Sequence, residues 1–282
     1  MTHYPHLLRL KKEMNKDEIM SQPTELLQFL TIAKSSEIWR SVSSAIMTVT
    51  NEAQFEAGPN GIEFRSKDQA REAFIDIFIP SVVFQQFHCP VLLKFGIRIN
   101  EFSKIIKRIN GNFPVEVCIQ DRFLVVTTIG TFFCCYKSDL IESRPSVSAV
   151  KEIAFDTKLV IGTEALAAIL DDVGVFSEML TLKTIRRPEI ATTFSGVSDR
   201  GAAAAVTVSR NNGIANIHHH TSMTESSEGT YPLRIISDLL DSIGAASDYV
   251  QLEYSSGGTL RLKFLLLESV TLQFYLAAQM VR

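Results

Sequence analysis

The apolar and polar positions of the chain repeat one pattern four times. Each round begins with an apolar strand, continues with a helix that has one apolar face, and ends with strands in which apolar and polar residues alternate. In the first round Ile38, Trp39, Val42, Ile46 and Val49 follow helical spacing. The pattern predicts helices over 35–49, 100–109, 163–174 and 236–243, about 65 residues apart.

Local signals predict where two of these helices begin. Asparagine is a common N-cap, so the second helix is predicted to be capped by Asn100. Residues 230–235 have the composition of a strand, so the fourth helix is predicted to start at Ile236.

The four rounds predict an α+β protein of two similar domains, each made of two βαβββ units. A helix with one apolar face must bury it against a sheet, so the helices should cover one face of antiparallel sheets. Composition divides the chain into a flexible N-terminal extension (1–25), a first domain (26–142), a connector (143–152) and a second domain (153–282). Exposed strand edges are a liability unless another subunit pairs with them, so we expect self-association through strand edges.

Composition indicates a folded intracellular protein. The chain has 282 residues, of which 46% are apolar and 21% are charged, which is enough material for two domains. No apolar run approaches the roughly 18 to 20 residues of a membrane-spanning helix, and the N-terminus lacks the apolar core of a signal peptide. We therefore expect no membrane partner. The four cysteines form no CxxC pair and are expected to be buried free thiols.

The second predicted helix has a cationic face in a chain whose formal net charge is −3. Its apolar residues fall on one side, and Lys104, Lys107 and Arg108 fall on the other. A solvated helix face explains this arrangement, and cations near a helix C-terminus also offset the macrodipole. The helix alone therefore does not decide between a solvated surface and an anion-binding surface.

Several short segments of the sequence together resemble sliding clamps of the proliferating cell nuclear antigen type, the archaeal and eukaryotic family. The resemblance covers residues 26–282 in the right order and at the right spacing, through Gly61–Asp68, Ala73–Ile77 with Pro80, Phe95–Arg108, Tyr231–Leu240 and Leu272–Ala277.

This resemblance implies a DNA-clamp fold and a trimeric ring, built from the chain itself or from paralogous subunits, that encircles duplex DNA without sequence preference. It implies partners that bind through short peptide motifs, namely DNA polymerase, ligase, nuclease and clamp loader, in replication and repair. The compartment would be the cytoplasm of an archaeal cell or the nucleus of a eukaryotic one. The implied DNA-facing residues are Arg40, Lys104, Lys107, Arg108 and Arg234.

The predicted third and fourth helices depart from the family pattern in their charge. The third helix has no cation and carries Asp171 and Asp172, and the fourth carries Asp238 and Asp241. Two alternatives therefore stay open beside a ring whose DNA contact lies on the first domains: a specialised subunit of a heteromeric clamp, and a ring-shaped protein scaffold with weak DNA contact.

The resemblance also implies a joint between subunits and a pocket for partner peptides. The joint would use the edge strands 122–129 and 213–219, through Phe123, Val125, Thr127, Ile214, Asn216 and His218, although each segment could be an ordinary internal strand. The pocket lies beneath the connector and beside the C-terminal tail, with candidates Lys67, Phe74, Leu140, Ile141, Val147, Tyr275, Ala277 and Ala278. Lys67 and Ala278 replace the methionine and proline common in the family.

The sequence gives no sign of catalysis, of a cofactor or of a metal site. It contains no Gly-rich phosphate loop, HExxH or GxSxG motif, and no pair of carboxylates in an acid-base setting. His218, His219 and His220 are adjacent, so their side chains should alternate between strand faces and not converge on one ion. A small-molecule enzyme with a cleft between the domains is the remaining alternative, and turnover would reveal it.

Overall fold

The chain folds into antiparallel sheets with four short helices, which confirms the predicted α+β class. The computed structural model describes residues 28–109, 111–144, 147–186, 189–209 and 226–279, and the backbone alone of 215–219. The helices of this described part are α1 (Glu37–Met47), α2 (Ile99–Arg108), α3 (Thr163–Gly174) and α4 (Leu233–Ile243).

The described strands form three sheets. The five-stranded sheet has the order β5-β1-β7-β8-β9, with β1 (Leu30–Ala33), β5 (Gln86–His88), β7 (Val115–Gln120), β8 (Phe123–Ile129) and β9 (Phe133–Asp139). The four-stranded sheet has the order β13-β12-β11-β15, with β11 (Met179–Ile185), β12 (Ala191–Val197), β13 (Ala203–Ser209) and β15 (Ser226–Pro232).

The third sheet has nine strands in the order β14-β10-β16-β17-β18-β4-β3-β2-β6. Its strands are β2 (Glu52–Gly58), β3 (Gly61–Lys67), β4 (Ala73–Pro80), β6 (Leu93–Arg98), β10 (Thr157–Gly162), β14 (Ala215–His219), β16 (Tyr249–Tyr254), β17 (Leu260–Leu266) and β18 (Val270–Leu276). Antiparallel pairing of β18 with β4 joins the end of the chain to its first third, so this sheet is continuous between them.

The opening strand of each round pairs with the strands of another round. In the first half of the chain β1 joins β7 and β6 joins β2, and in the second half β10 joins β16 and β15 joins β11. Each pair of rounds therefore contributes to two sheets, and in each sheet the later strands of one round are joined by the opening strand of the other round. This exchange ties the two units of each pair together through backbone hydrogen bonds.

The helices pack on the sheets and on each other through apolar faces. Helix α1 contacts α2 and α4, and α3 contacts α4 and strands β10 to β13. Trp39 of α1 is 4% exposed, and its ring centroid lies 5.5 Å from that of Phe102 on α2. One continuous apolar core therefore lies between the helices and the sheets, with the polar helix faces turned outward.

Two predicted helix starts are wrong by one to three residues. Helix α2 begins at Ile99, its N-cap Arg98 makes no side-chain cap, and Asn100 instead accepts a hydrogen bond at Oδ1 from the backbone N–H of Glu101 at 2.8 Å. Helix α4 begins at Leu233, because Pro232 ends β15 and serves as the N-cap of the helix. Proline fixes φ and lacks an N–H, so it favours this switch from strand to helix.

No helix in the described ranges combines the length and the apolar character needed to cross a membrane.

Candidate nucleic-acid interface and partner surfaces

Helix α2 presents a free cationic face. Lys104 and Lys107 are exposed, and neither makes a hydrogen bond or ion pair with any described residue. Phe102 and Ile106 on the opposite side are buried in the core, which fixes the orientation of the helix. The two ammonium groups are therefore available to an anionic partner.

The third cation of α2, Arg108, lies beside β9. Burial raises the pKa of Tyr136 on β9, and the positive charge of nearby Arg108 partly offsets that rise. On the same flank Ser138 of β9 donates a hydrogen bond to Glu101 Oε2 at 3.1 Å. Helical geometry places Arg108 about 100° around the axis from Lys107 and about 40° from Lys104, so Lys104 lies between the other two cations.

Arg40 of α1 is bound within the protein. Its Nη2 donates to the carbonyl oxygen of Ile109 at 2.9 Å and to Ser36 Oγ at 3.4 Å. The side chain is half-buried, and its Nε has no hydrogen-bond partner among the described residues. Arg40 therefore binds the C-terminal end of α2, where the last carbonyl groups of a helix lack intrahelical partners.

The other two helices are acidic. The exposed faces of α3 and α4 carry Glu164, Asp171, Asp172, Asp238 and Asp241. Arg234 of α4 is 89% exposed, and its Nε lies 3.6 Å from Asp238 Oδ2, so a carboxylate offsets its charge. Together the four helices contain five basic and seven acidic residues, so the favourable field for a polyanion is confined to α2.

The sheet order corrects one half of the predicted subunit joint. Phe123, Val125 and Thr127 lie on β8, which pairs with β7 on one side and β9 on the other. Its backbone groups are already used, so the prediction of an edge strand there is wrong. The apolar run 123–126 of β8, followed by two threonines, has no polar alternation, which is typical of a strand that is buried on both faces, and this signal was present in the sequence.

The long strand edges that have no described backbone partner are β9 and β13. Each ends its sheet, and each has seven residues. Helix α2 contacts β9, and α3 contacts β13. In both strands nearly every second residue is exposed, as expected for a strand with one face in solvent.

The second half of the predicted joint is partly described. Asn216 and His218 lie on β14, an edge strand of the nine-stranded sheet whose register with β10 pairs them with Val160 and Lys158. Ile214 and His220 lie outside the described residues. The use of β14 in a joint stays a prediction.

Five predicted pocket residues gather around the end of β18. Strand register places Lys67, Phe74 and Tyr275 side by side across β3, β4 and β18, and the rings of Phe74 and Tyr275 are 5.7 Å apart. The backbone N–H of Ala277 donates to the carbonyl of Glu72 at 2.8 Å, which holds the tail beside this row. Ala278 is partly buried against the core.

Two residues that the sequence did not predict, Arg261 and Phe155, extend this row. The guanidinium of Arg261 on β17 lies 4.5 Å from the ring of Phe155 and 5.9 Å from that of Tyr275. Its Nε also donates to Glu253 Oε2 at 2.6 Å. The alternation along β17 could have placed Arg261 on this face, but nothing local predicts that Phe155 covers it.

Leu140 and Ile141 do not lie in this row. The backbone N–H of Ile141 donates to the carbonyl of Gly96 on β6 at 2.9 Å, and β6 lies four strand spacings from β18, or roughly 19 Å along the sheet. Leu140 bonds the carbonyl of Arg122 and packs on the core. The prediction that both line one pocket with Tyr275 is therefore wrong, because the connector first follows β6. Val147 is half-buried farther along the connector.

Two buried tyrosines of the second half have hydrogen-bond partners. Tyr254 is fully buried and hydrogen-bonds Thr184, and Tyr231 donates to the carbonyl of Gly258 at 2.9 Å. Burial raises the pKa of both tyrosines above its ordinary value. In the described ranges no three His, Cys, Asp or Glu side chains are grouped to hold a metal ion.

The protein is similar to known proteins over most of its length. The sequence profile described as "Proliferating cell nuclear antigen, N-terminal domain" matches residues 31–130. The "DNA polymerase sliding clamp" of Nitrosopumilus maritimus is 34% identical over 242 residues, which is 86% of this chain and 94% of that protein. The protein of the same description from Cenarchaeum symbiosum is 32% identical over 251 residues, covering 89% and 98%.

Two solved structures have the same fold. Proliferating cellular nuclear antigen from Entamoeba histolytica superposes with a TM-score of 0.80 at 18% identity, over 90% of this chain and 100% of that one. Its counterpart from Thermococcus kodakaraensis gives a TM-score of 0.81 at 17% identity, over 89% and 100%.

Proposed function

The chain belongs to the DNA polymerase sliding clamp family, whose members are processivity factors without enzymatic activity, and on that premise we propose how this clamp holds DNA, closes its ring and binds partners. The observation that carries the proposal is the free cationic face of α2 on an otherwise acidic set of helices.

We propose that Lys104 and Lys107 contact the phosphates of duplex DNA. Both ammonium groups are exposed and have no partner among the described residues, and the core fixes the helix that carries them. Such contacts are independent of sequence and weaken with salt, which lets a ring slide. The hydrogen bond from Arg40 to Ile109 holds the end of the helix that carries these lysines. Arg234 contributes little to DNA binding, because the carboxylate of Asp238 offsets its charge.

Three copies form the ring, and β9 of one copy pairs with β13 of the next. These strands are the long edges without a described backbone partner. Their pairing brings α2 of one copy beside α3 of its neighbour, because α2 contacts β9 and α3 contacts β13. Arg108 then faces an acidic helix, and Asp172 is the candidate partner, since it lies about 140° around α3 from Ala167 on the side of α4. Opposite charges there would fix the register of the joint.

Partner peptides bind at the row formed by Lys67, Phe74 and Tyr275 beside the tail residues Ala277 and Ala278. The row combines two aromatic rings with a tail that is fixed by a backbone hydrogen bond, which suits aromatic and aliphatic anchors of a short helical motif. DNA polymerase, ligase, nuclease and the clamp loader are the partners proposed for it, in replication and in repair. The protein works inside the cell, with the DNA.

A primer-extension assay tests the function. On a long primed single-stranded circle, a partner polymerase together with the clamp loader and this chain should make longer products per binding event than without the chain. Products of unchanged length would contradict the proposal.

A second candidate is a specialised subunit of a mixed ring, or a ring-shaped scaffold with weak DNA contact. The net acidic helices favour it. The purified chain alone would then stay near its 31.5 kDa mass, or would form a ring whose duplex binding does not depend on salt. A homotrimer with a clear salt slope excludes both.

A further inference from the structure

The solvent face of the nine-stranded sheet is cationic around the row of Lys67, Phe74 and Tyr275, which we call the peptide row. In strands β3, β4, β10, β16, β17 and β18 alternate residues point into the core, and the charged side chains lie on the opposite face. Five of them are basic and three are acidic, which favours an anionic ligand on this face. The basic ones are Arg65, Lys67, Lys158, Arg261 and Lys263, and the acidic ones are Glu63, Asp76 and Glu253.

Lys67 is a free cation at one end of the peptide row. Its side chain is exposed and makes no hydrogen bond or ion pair with any described residue. Lys67 lies opposite Phe74 in the strand register, and cross-strand partners on one face are neighbours, so an anion bound by Lys67 would lie beside the ring. Arg65 on the same strand is already held by Asp76 at 3.1 Å and by Glu63 at 3.0 Å. Lys67 is therefore the cation of β3 that is available to a new anionic partner.

Two cations at the other end of the peptide row share one carboxylate. Arg261 Nε lies 2.6 Å from Glu253 Oε2, and Lys263 Nζ lies 3.4 Å from the same oxygen. One carboxylate cannot neutralise two cations, so this cluster keeps a net positive charge. The side chain of Lys263 is 35% exposed and that of Arg261 is 14% exposed, so Lys263 is the group that a ligand reaches more easily. Lys263 lies opposite Gln273, which accepts a hydrogen bond from the hydroxyl of Tyr275 at 2.9 Å.

The two cationic ends lie on either side of the aromatic rings. Phe74 on β4 lies opposite Lys67 on β3 and opposite Tyr275 on β18. Arg261 on β17 lies opposite Tyr275 from the other side. Three strand spacings therefore separate Lys67 from Arg261, or roughly 14 Å. A helix of about ten residues has this length, so a short helical motif whose anchors cover the rings reaches both ends.

We propose that the peptide row selects partner motifs that carry acidic residues on both sides of their aromatic anchors. One carboxylate pairs with Lys67, and the other pairs with Lys263, whose charge Glu253 offsets only in part because it also binds Arg261. Motifs with basic flanks are disfavoured, because like charges placed together repel. The inference rests on the proposed binding of partner peptides at this row, and it adds the chemistry that distinguishes one partner from another.

Calorimetric titration with three matched peptides tests the charge preference. The probe is a short synthetic helical peptide with two aromatic anchors, made with Glu, Gln or Lys at the flanking positions. At low salt the Glu form should bind the parent chain about tenfold more tightly than the Gln form, because two partly exposed ion pairs each contribute a few-fold. The Lys form should bind more weakly than the Gln form. High salt should reduce these differences severalfold, because it screens exposed charges.

Single charge deletions locate the effect. Lys67→Gln and Lys263→Gln should each reduce the preference for the Glu form about threefold, because each removes one ion pair. Binding of the Gln form should be nearly unchanged, which also shows that each variant is folded. Lys34→Gln is the matched control, because Lys34 is exposed and has no partner among the described residues but lies at the end of β1 in the five-stranded sheet.

Equal affinity of the parent chain for the Glu and Gln forms would overturn the inference. So would a preference for the Glu form that Lys67→Gln and Lys263→Gln both retain in full, because the attraction would then come from elsewhere. If none of the three peptides bound, the peptide row itself would be contradicted, and the inference with it. The Gln form distinguishes these failures, because its binding reports on the row without the flanking charges.

Discussion

At the scale of single residues, packing gives the cations of α1 and α2 different surroundings: Arg40 bonds Ile109, Arg108 lies beside Tyr136, and Lys104 and Lys107 have no described partner. Helical spacing correctly placed Lys104, Lys107 and Arg108 opposite the apolar face. It could not show that Arg40 bonds Ile109, because the two residues are 69 positions apart and meet only after α1 packs on α2. Nor could it separate Arg108, beside Tyr136 of β9, from the two free lysines. Long-range packing decides these roles.

Reversing the charge of the two lysines should weaken the hold on DNA. Lys104→Glu/Lys107→Glu places repulsive charges where phosphates are proposed to lie, so clamp-dependent polymerase stimulation should fall about fivefold or more, with a shallower salt dependence of duplex binding. The trimer mass should not change, because neither lysine has a partner within the described protein. Arg186→Glu, at another exposed cation, is the control. If both variants stimulated the polymerase equally, this would contradict a contact of Lys104 and Lys107 with DNA.

The buried Tyr254 gives a prediction for stability at high pH. Burial favours its neutral form, so the folded pKa lies above the unfolded value of about 10. The stabilisation is therefore fully present below pH 10 and is lost as the pH rises further. Tyr254→Phe should lower the free energy of unfolding by about 1 to 2 kcal/mol at pH 7, because Thr184 loses a buried partner, and should flatten the decline above pH 10.

Urea unfolding between pH 7 and pH 11 measures both effects of Tyr254→Phe. Tyr249→Phe is the control, since Tyr249 is 66% exposed. A decline above pH 10 that is as steep in Tyr254→Phe as in the parent would contradict the assignment.

At the scale of elements, periodicity predicted the four helices and most strands, whereas pairing decided which strands are edges. The limits of α3 match the prediction, 163–174. The error in α4 arose because 233–235 has strand composition, but Pro232 sets the helix start. The prediction that β8 is an edge strand was wrong because an edge is a property of the assembled sheet. Strand β8 pairs with β7 and with β9, so β9 is the edge strand of that sheet. Alternating exposure along β9 then distinguishes it from the buried β8.

The proposed joint between β9 and β13 predicts a charge-swap rescue. Arg108→Glu should repel the acidic α3 of the neighbouring copy and raise the trimer dissociation constant about threefold or more. Arg108→Glu/Asp172→Arg should restore the trimer, because the opposite charges are exchanged. Sedimentation across a concentration series reports the mass. Failure of the second substitution to rescue the first would argue against the pairing of Arg108 with Asp172.

The row across β3, β4 and β18 predicts different effects for residues that the sequence had grouped together. Lys67→Met should strengthen binding of a short helical peptide with aromatic anchors severalfold, because an apolar side chain replaces an exposed charge beside Phe74. Tyr275→Ala should weaken it about tenfold. Ile141→Ala should have little effect, because Ile141 lies at β6.

Calorimetric titration of that peptide separates these outcomes, with thermal unfolding as the check that Tyr275→Ala is folded. A loss of affinity in Ile141→Ala equal to that in Tyr275→Ala would contradict the placement of the pocket.

At the scale of the whole molecule, the fourfold repeat in the sequence was sufficient to predict an α+β protein with helices on antiparallel sheets. It did not predict that opening strands exchange between rounds, or that β18 and β4 extend one sheet across nine strands. Hydrophobic pattern specifies which face of a strand is buried, but not which strand lies beside it. The charge balance belongs to this scale as well. With five basic and seven acidic residues on its helices, the molecule must hold DNA by enclosure more than by attraction.

Release from linear duplex DNA tests enclosure most directly. The protein is allowed to thread onto a linear duplex, the ends are blocked with bulky groups or one end is left free, and the salt concentration is then raised. An enclosing ring should remain on the blocked duplex about tenfold longer than on the open one, because salt weakens phosphate contacts but not the topological link. Equal release from both duplexes would contradict the account.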